Sequence, residues 1–265
     1  MRIKMKTRAF VLAAFSVALS SQAWTAPSAE DIFSRSVLVE KVADWRANST
    51  LEIRTAERTR VRAGEAYNLL QPGGSKTYRL FRFNVPADIA GTAFLVHENE
   101  PQENDMWMYL PSMAKTRRIL AANKHESFMG SDFAYADLMT QLSSAFTHTL
   151  AASEPCGNAR CYVLESTPKS AKTRDEIGYS KQIAYIREDN FLTQRIRYFD
   201  AGANEIKVQD VSDYQLVDKE KNHWIATRRE MTTLRTQRKS VLRFDKLQAN
   251  SGIDPTMLQE SRLGR

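Results

Sequence analysis

The sequence predicts a single, mostly β domain: an antiparallel meander, curved into a barrel or sandwich, with one helix at its start. Two observations carry this prediction. After the helix, short strand-like runs alternate with turn residues, and few stretches have helical periodicity. Of the 265 residues, 42% are hydrophobic and 26% are charged, a composition that excludes disordered, collagen-like and polytopic membrane proteins.

The chain begins with a predicted secretory signal peptide over residues 1–23. Four basic side chains within the first eight residues precede the apolar run 9–20, and Ser21 and Ala23 are small residues suited to cleavage after Ala23. The run is shorter than the roughly 20 apolar residues that cross a bilayer, which disfavours the alternative of an uncleaved anchor. We therefore expect one domain over residues 24–265, in an oxidising compartment outside the cytoplasm.

The net charge gives no indication of a nucleic-acid partner. The formal charge is +7, but without the four basic residues of the signal peptide the chain has 34 basic and 31 acidic residues, an excess of only three. Domains that follow a phosphate backbone concentrate more positive charge on one face. The basic runs 115–118, 228–229 and 235–239 are interpreted as solvated strand faces or turns, with transient contact to anionic lipid headgroups or an acidic partner as the alternative.

Periodicity places one helix before the strands. Ser28 and Asp31 resemble a capping box, and Leu38, Val42 and Trp45 recur at helical spacing, which predicts a helix over residues 29–45. The predicted strands are 49–62, 77–85, 92–97, 105–110, 116–120, 145–150, 160–167, 181–187, 192–199, 206–217, 223–231 and 239–247.

An apolar insert interrupts the predicted sheet over residues 121–142. Gly130, Ser131 and Asp132 separate an irregular stretch from a short helix-compatible run over residues 135–141. An apolar loop in a sheet protein must bury its surface or bind something with it. Its apolar residues are Phe128, Met129, Phe133, Tyr135, Leu138 and Met139.

Residues 106–110 are apolar or aromatic on both predicted faces of a strand. The period of two places Trp107 and Tyr109 on one face and Met106, Met108 and Leu110 on the other. Such a strand is either packed on both sides or borders a cavity that adapts to a flexible apolar ligand. The second interpretation makes Trp107, Tyr109 and the six apolar insert residues the candidate lining or lid of a hydrophobic cavity.

The two cysteines predict a disulfide at the tip of a hairpin. Cys156 and Cys161 enclose the turn-forming segment 157–160 after Pro155, which allows their strands to approach each other. A metal or redox pair is the alternative, but no nearby residue supplies the further ligands that zinc needs.

The sequence predicts no catalysis, metal or cofactor. Its four histidines stand singly without a metal-binding motif, and no phosphate loop or dinucleotide fingerprint is present. The segment Gly130-Ser131-Asp132 lacks the pattern of a nucleophile elbow, and nothing places a base beside Ser131. A hydrolase of envelope lipids or glycans, using Ser131 or a carboxylate such as Asp132 or Asp137, is an alternative without positive sequence support.

The order of several segments resembles the periplasmic outer-membrane lipoprotein-sorting proteins, a branch of the LolA-like superfamily. The resemblance spans nearly all of the mature chain, and its most specific part is the block from Trp107 to Leu138. The matching segments are Trp107-Met108-Tyr109-Leu110-Pro111, Arg117-Arg118-Ile119, Ser127-Phe128-Met129-Gly130-Ser131-Asp132-Phe133, Tyr135, Asp137-Leu138 and the tail Asn250-Ser251-Gly252-Ile253-Asp254-Pro255.

The resemblance implies an incomplete antiparallel β-barrel whose concave face, covered by helices and loops, holds acyl chains. It also implies a non-enzymatic carrier in the periplasm that moves a lipoprotein or another lipid toward the outer membrane, often alongside an RND-type (MMPL-like) exporter. We expect the helix at 29–45 and the insert at 121–142 to form the cover. A sensor that binds a regulatory protein through the same concave surface is the alternative from another functional class.

Overall fold

The structure, a computed structural model, describes residues 27–99 and 102–264 as one antiparallel sheet with two α-helices. The predicted signal peptide at 1–23 lies outside the described residues. The helices are α1 (Ala29–Leu38) and α2 (Ala171–Ile177). The strands are β1 (Asp44–Arg54), β2 (Thr59–Leu70), β3 (Lys76–Val85), β4 (Ala93–Asn99), β5 (Asp105–Leu110), β6 (Lys115–Ile119), β7 (Phe146–Cys156), β8 (Ala159–Pro168), β9 (Lys181–Arg187), β10 (Thr193–Phe199), β11 (Glu205–Asp218), β12 (His223–Thr233) and β13 (Arg238–Ala249). Short 3₁₀ turns occupy Ala87–Ile89, Pro111–Met113, Ala121–Asn123, Phe128–Gly130, Tyr135–Leu138, Ser143–Ala145, Pro255–Leu258 and Glu260–Arg262.

The sheet is an incomplete barrel with two open edges. Its strand order is β6-β5-β4-β3-β2-β1-β13-β12-β11-β10-β9-β8-β7, so the first strand of the chain pairs with the last. The edge strands β6 and β7 follow each other in sequence and do not pair within the described residues. The segment 120–145 that joins them must therefore run from one edge of the sheet to the other, which confirms the predicted mostly β fold and explains where the insert lies.

The first helix is shorter than the predicted range 29–45. Ser28 caps it by accepting a hydrogen bond from the Asp31 N–H at 3.1 Å, but the helix ends at Leu38. Asp44 already belongs to β1 and accepts a bond from the Ser251 N–H at 2.6 Å. Strand β1 is hydrogen-bonded to a neighbouring strand on each side. This pairing outweighs the helical spacing of Leu38, Val42 and Trp45 in the sequence, so Trp45 lies in a strand.

The predicted strand 49–62 is two strands joined by a tight turn. Thr55 closes this turn, since its N–H donates to the Arg58 carbonyl at 2.9 Å and its hydroxyl accepts from the Arg58 N–H at 3.2 Å. A side-chain hydroxyl thus replaces the Gly or Pro that usually marks a turn in sequence. The other predicted strands are present, and β7 extends further than predicted, to Cys156.

The two faces of the sheet are both covered, by different parts of the chain. We call the face that carries Phe81, Phe94 and Leu242 the inner face; α1 and the insert pack on it. The outer face carries Leu80 and Leu95, which alternate with the inner residues along their strands. The C-terminal tail covers part of the outer face, where its Leu258 and Leu263 side chains are fully buried against these strands.

The disulfide lies where the sequence predicts it. Cys156 and Cys161 are bonded, with their Cα atoms 5.8 Å apart, at the tip of the β7–β8 hairpin. No helix within residues 27–99 and 102–264 is long and apolar enough to span a bilayer.

Candidate functional site

A cavity of about 680 Å³ lies on the inner face of the sheet. It is bounded by α1, α2 and the insert segment 136–145. Its volume falls in the range of about 300–1,000 Å³ that is typical of small-molecule sites. Apolar and aromatic residues that line it include Phe33, Val37, Val42, Trp45, Phe81, Leu138, Met139, Ile177, Ile196, Leu242 and Phe244, and polar ones include Asn68, Arg79, Glu98, Ser166, Gln182, Gln209 and Arg229.

Helix α1 is seated on the end of the sheet by two buried residues. Ile32 and Phe33 pack against Leu164, and the Phe33 ring stacks on His148 with ring centroids 4.1 Å apart. The His148 Nδ1 lies 2.8 Å from the Ser166 hydroxyl. Burial lowers the pKa of His148, so the imidazole beneath the helix is neutral at neutral pH.

The chain just after α1 is tied to the sheet by an ion pair. Arg229 of β12 donates to the Glu40 carboxylate at 2.7 Å, and the Tyr214 hydroxyl donates to the same carboxylate at 3.2 Å. Burial lowers the pKa of Arg229, but the Glu40 carboxylate together with Tyr214 and Tyr198 raises it above its ordinary value. Both charges border the cavity and each is satisfied by the other.

The insert segment over the cavity is held by Arg79 of β3. Its guanidinium donates to the Leu138 carbonyl at 2.6 Å and to the Thr140 hydroxyl at 2.9 Å, and it forms an ion pair with Glu98 at 3.0 Å. Glu98 also accepts a bond from the Thr140 N–H at 2.7 Å. On the other side of the cavity, α2 is joined to the insert by an ion pair from Lys124 to Glu176.

Asp132 anchors the centre of the insert to the inner face. Its buried carboxylate accepts bonds from the hydroxyls of Thr233 and Ser240, each at 2.6 Å. Its N–H donates to the Ser240 hydroxyl at 2.9 Å, and its carbonyl accepts from the Lys207 ammonium at 2.8 Å. Arg238 lies 3.6 Å from the carboxylate. The residue is therefore joined to three neighbouring strands at once.

Asp137 is a second carboxylate, with a separate structural role. Its oxygens accept bonds from the Ala134 N–H at 2.7 Å and from the Tyr179 hydroxyl at 3.0 Å. Burial raises its pKa, and the Lys207 ammonium, which lies 3.3 Å from the Tyr179 hydroxyl, opposes that rise. Asp132 and Asp137 are engaged in these separate bonds, which gives no support to a catalytic pair.

The predicted site residues of the insert are divided between the core and the cavity. Phe128 and Phe133 are fully buried, and the Phe128 ring lies 5.2 Å from the Phe94 ring. Met129 and Tyr135 are partly buried and pack on the same inner-face core. Leu138 and Met139 line the cavity. The insert thus fills one part of the inner face itself and leaves a cavity in another.

Trp107 and Tyr109 lie away from the cavity, on the outer face. Trp107 is paired with Leu95 and Tyr109 with Ala93, and both pack in the cluster covered by the tail residues Leu258 and Leu263. Their predicted place in the cavity lining is corrected: this strand is packed on both sides. The sequence contained no signal that the distant tail would cover one of its faces.

Several residues that line the cavity were not recognised from the sequence. The rings of Trp45 and Phe81 both lie near that of Phe244, with ring centroids 5.1 and 6.3 Å from it. Trp45 was assigned to a helix, and Phe81 and Phe244 lie in ordinary amphipathic strands. The polar residues Gln209 and Arg229 occupy inner-face positions of their strands. In the sequence, a polar residue at a position where the alternation expects an apolar one is the signal that could have marked them as cavity residues.

Metal-ligating side chains do not cluster in the described part of the chain. It contains no group of three or more His, Cys, Asp or Glu side chains that could hold a metal ion. The Ser131 hydroxyl donates to the Phe128 carbonyl at 2.7 Å, inside the turn that carries the insert. This bond agrees with the interpretation of Ser131 as a turn residue.

Comparison with known proteins places this architecture among related folds. A family model described as an uncharacterized protein matches residues 75–265. A DUF1329 family protein from Desulfovibrio piger is 28% identical, with 89% of this chain and 97% of that chain covered and a TM-score of 0.81. A domain described as an outer membrane lipoprotein-sorting protein, from Vibrio parahaemolyticus, is 24% identical, with 89% and 98% covered and a TM-score of 0.82.

A more distant structure has the same fold. A LolA superfamily protein from Nitrosomonas europaea is 15% identical, with 89% of this chain and 99% of that chain covered and a TM-score of 0.68. No curated protein matches the sequence. The solved structures confirm the expected LolA-like fold.

Proposed function

Because the chain belongs to the uncharacterized family whose model matches residues 75–265 and has the LolA-like lipoprotein-sorting fold, we propose that it is a carrier of lipid. It binds the acyl chains of a lipoprotein or of another lipid in the inner-face cavity and moves them through the periplasm toward the outer membrane. The observation that carries the proposal is the cavity of about 680 Å³ beneath α1 and the insert.

The lining supports an apolar ligand held by side chains that can adapt. Trp45, Phe81 and Phe244 supply aromatic surface on the sheet side, while Leu138 and Met139 of the insert face them across the cavity. Methionine repacks at low cost around ligands of different shape. This arrangement suits a flexible hydrocarbon chain better than a rigid polar metabolite.

The energetics suit a carrier that must also release its cargo. Burying a chain of about sixteen carbons contributes roughly 12 kcal/mol before costs, at about 0.8 kcal/mol for each methylene. Association costs about 4–15 kcal/mol in lost freedom and side-chain ordering, which leaves a moderate net affinity. A cover attached partly by polar contacts allows release, because water replaces polar contacts more easily than apolar ones.

The same proposal extends to the partners of the protein. A carrier in outer-membrane biogenesis must receive its lipid at the inner membrane, and an RND/MMPL-type exporter is the partner that the resemblance implies. Contact with either membrane would be transient. We expect no chemical turnover, since a carrier binds and releases its ligand unchanged.

The test is to identify what the purified protein retains. Mass spectrometry of organic extracts from gently purified protein should detect lipid at about one molecule per chain. Ala184 lines the cavity, so Ala184→Phe should narrow it and reduce the retained lipid, whereas Ala152→Phe, at an exposed position of β7, should leave retention unchanged. Lipid that is absent from the wild-type protein, together with a stable complex with another protein, would instead support a sensor that binds a regulatory protein.

A further inference from the structure

One side chain in the cavity lining has a hydrogen-bond donor without an acceptor. Gln209 of β11 is 1% exposed, and its Oε1 accepts a bond from the Tyr198 hydroxyl at 2.6 Å. Its Nε2 is buried and has no hydrogen-bond partner in residues 27–99 and 102–264. A buried donor left unpaired disfavours the empty state by a factor of about 5 to 150, so such groups usually have a partner.

Gln209 and its neighbours on β10 line the cavity. Both Gln209 and its cross-strand neighbour Ile196 line the cavity, as does Tyr198 two residues further along β10. Gln141 of the insert, which also lines the cavity, has a buried Nε2 that is likewise unpaired within the described chain. Two buried amide donors without acceptors therefore belong to residues that line one cavity.

The cationic side chains near Gln209 are already bonded to other groups of the protein, which favours a neutral acceptor. Lys207 lies two residues before Gln209 on the same strand and is bonded to the Asp132 carbonyl and the Tyr179 hydroxyl. On the neighbouring strand, Arg229 is paired with the Glu40 carboxylate. A carboxylate or phosphate at this point would have to compete with these contacts for a counter-charge, whereas a carbonyl oxygen needs only the N–H that Gln209 offers.

We propose that the Gln209 Nε2 donates a hydrogen bond to the carbonyl oxygen of a cargo that is an acyl ester or amide. The inference rests on the proposed function and specifies its substrate class: a carboxylic acyl derivative whose linkage enters the cavity, rather than a free fatty acid or a pure hydrocarbon. Gln209 is then a specificity residue, and the apolar wall around Phe81 and Phe244 receives the chain itself.

Two lysophosphatidylcholines of equal chain length make the test, one with an ester-linked chain and one with an ether-linked chain that lacks the carbonyl. Their binding to delipidated protein is measured by calorimetry. We expect the wild-type protein to bind the ester about 3- to 10-fold more tightly, the strength of one net hydrogen bond. Gln209→Met, of similar shape, should remove this preference. Gln215→Met, the same change at an exposed position of β11 outside the cavity lining, should keep it.

The outcomes separate the inference from the function on which it rests. Equal binding of both lipids by the wild-type protein overturns the role of Gln209 while lipid binding stands, and this result needs no variant to fold. A preference that persists in Gln209→Met also overturns it. If neither lipid binds and none is extracted from the native protein, the carrier function fails and the inference fails with it.

Discussion

Replacing Asp132 with alanine should release the insert from the sheet. The carboxylate is 3% exposed and accepts two hydroxyl bonds at 2.6 Å, while Arg238, 35% exposed, lies 3.6 Å away. A hydrogen bond to a charged group contributes about 1.5–3 kcal/mol. Water can reach Arg238, and the two hydroxyls can rotate to other partners. We therefore expect the free energy of unfolding to fall by about 3 kcal/mol, the lower end of the range for two such hydrogen bonds.

The effect should be measurable both globally and locally. For a domain of this size, about 3 kcal/mol lowers the melting temperature by roughly 6–12 °C. Hydrogen exchange should accelerate over residues 128–134, which Asp132 ties to β12 and β13, before it accelerates elsewhere. Asp175→Ala is the control, because that side chain is 69% exposed and forms its ion pair with the adjacent Arg174. A melting temperature for Asp132→Ala within about 1 °C of wild type would refute the anchoring role.

Three further predictions concern the ligand, the hairpin and pH. Lipids with brominated acyl chains should quench the fluorescence of Trp45, which lines the cavity, and not that of Trp107 on the outer face. The Trp45→Phe and Trp107→Phe variants separate the two signals. Quenching of the Trp107 fluorescence would contradict the assigned cavity. Changing Cys156 and Cys161 together to serine should lower the free energy of unfolding by roughly 2 kcal/mol, because the disulfide closes a short loop. Denaturant titrations measure this loss, and a loss close to zero would contradict the stabilising role of the disulfide. Since burial lowers the pKa of His148, its stabilising contribution is complete above the unfolded pKa of about 6.5 and is lost as the pH falls through the lower folded pKa. Exchange of the α1 amides, corrected for intrinsic rates, should therefore accelerate below about pH 6, and His148→Phe should reduce that acceleration; an unchanged response would exclude His148 as its cause.

Local sequence signals were sufficient for most of the sheet, because strand alternation and turn residues are local properties. They failed where a distant contact decided the outcome. Leu38, Val42 and Trp45 have helical spacing, yet β1 gains neighbours on both sides by joining the sheet. The turn at Thr55 contains neither Gly nor Pro, so the first hairpin was predicted as one strand.

The site was harder to predict than the fold, because its members are set by which face of each strand is covered and by what. Residues 106–110 are apolar on both faces, and their sequence does not distinguish a cavity wall from packing beneath a tail that comes more than a hundred residues later. Phe128 and Phe133 were predicted to line or cover the cavity, and both are fully buried in the inner-face core. Whether such residues pack as core or line a cavity depends on how much space the surrounding fold leaves, and no local sequence pattern indicates that volume.

The two parts of the cover are attached to the sheet with different strength, and this decides which of them opens. The insert is fixed at both ends to edge strands, buries Phe128 and Phe133 completely, and is joined to three strands through Asp132. Helix α1 fully or nearly buries two of its residues, Ile32 and Phe33, and the chain just after it is tied to β12 by the Arg229–Glu40 ion pair and by a bond from the Trp224 N–H to the Val39 carbonyl. Opening at α1 exposes far less apolar surface than withdrawal of the insert, so it costs less free energy. A lipid would therefore enter and leave beneath α1, with the insert as the fixed wall against which the chain is held.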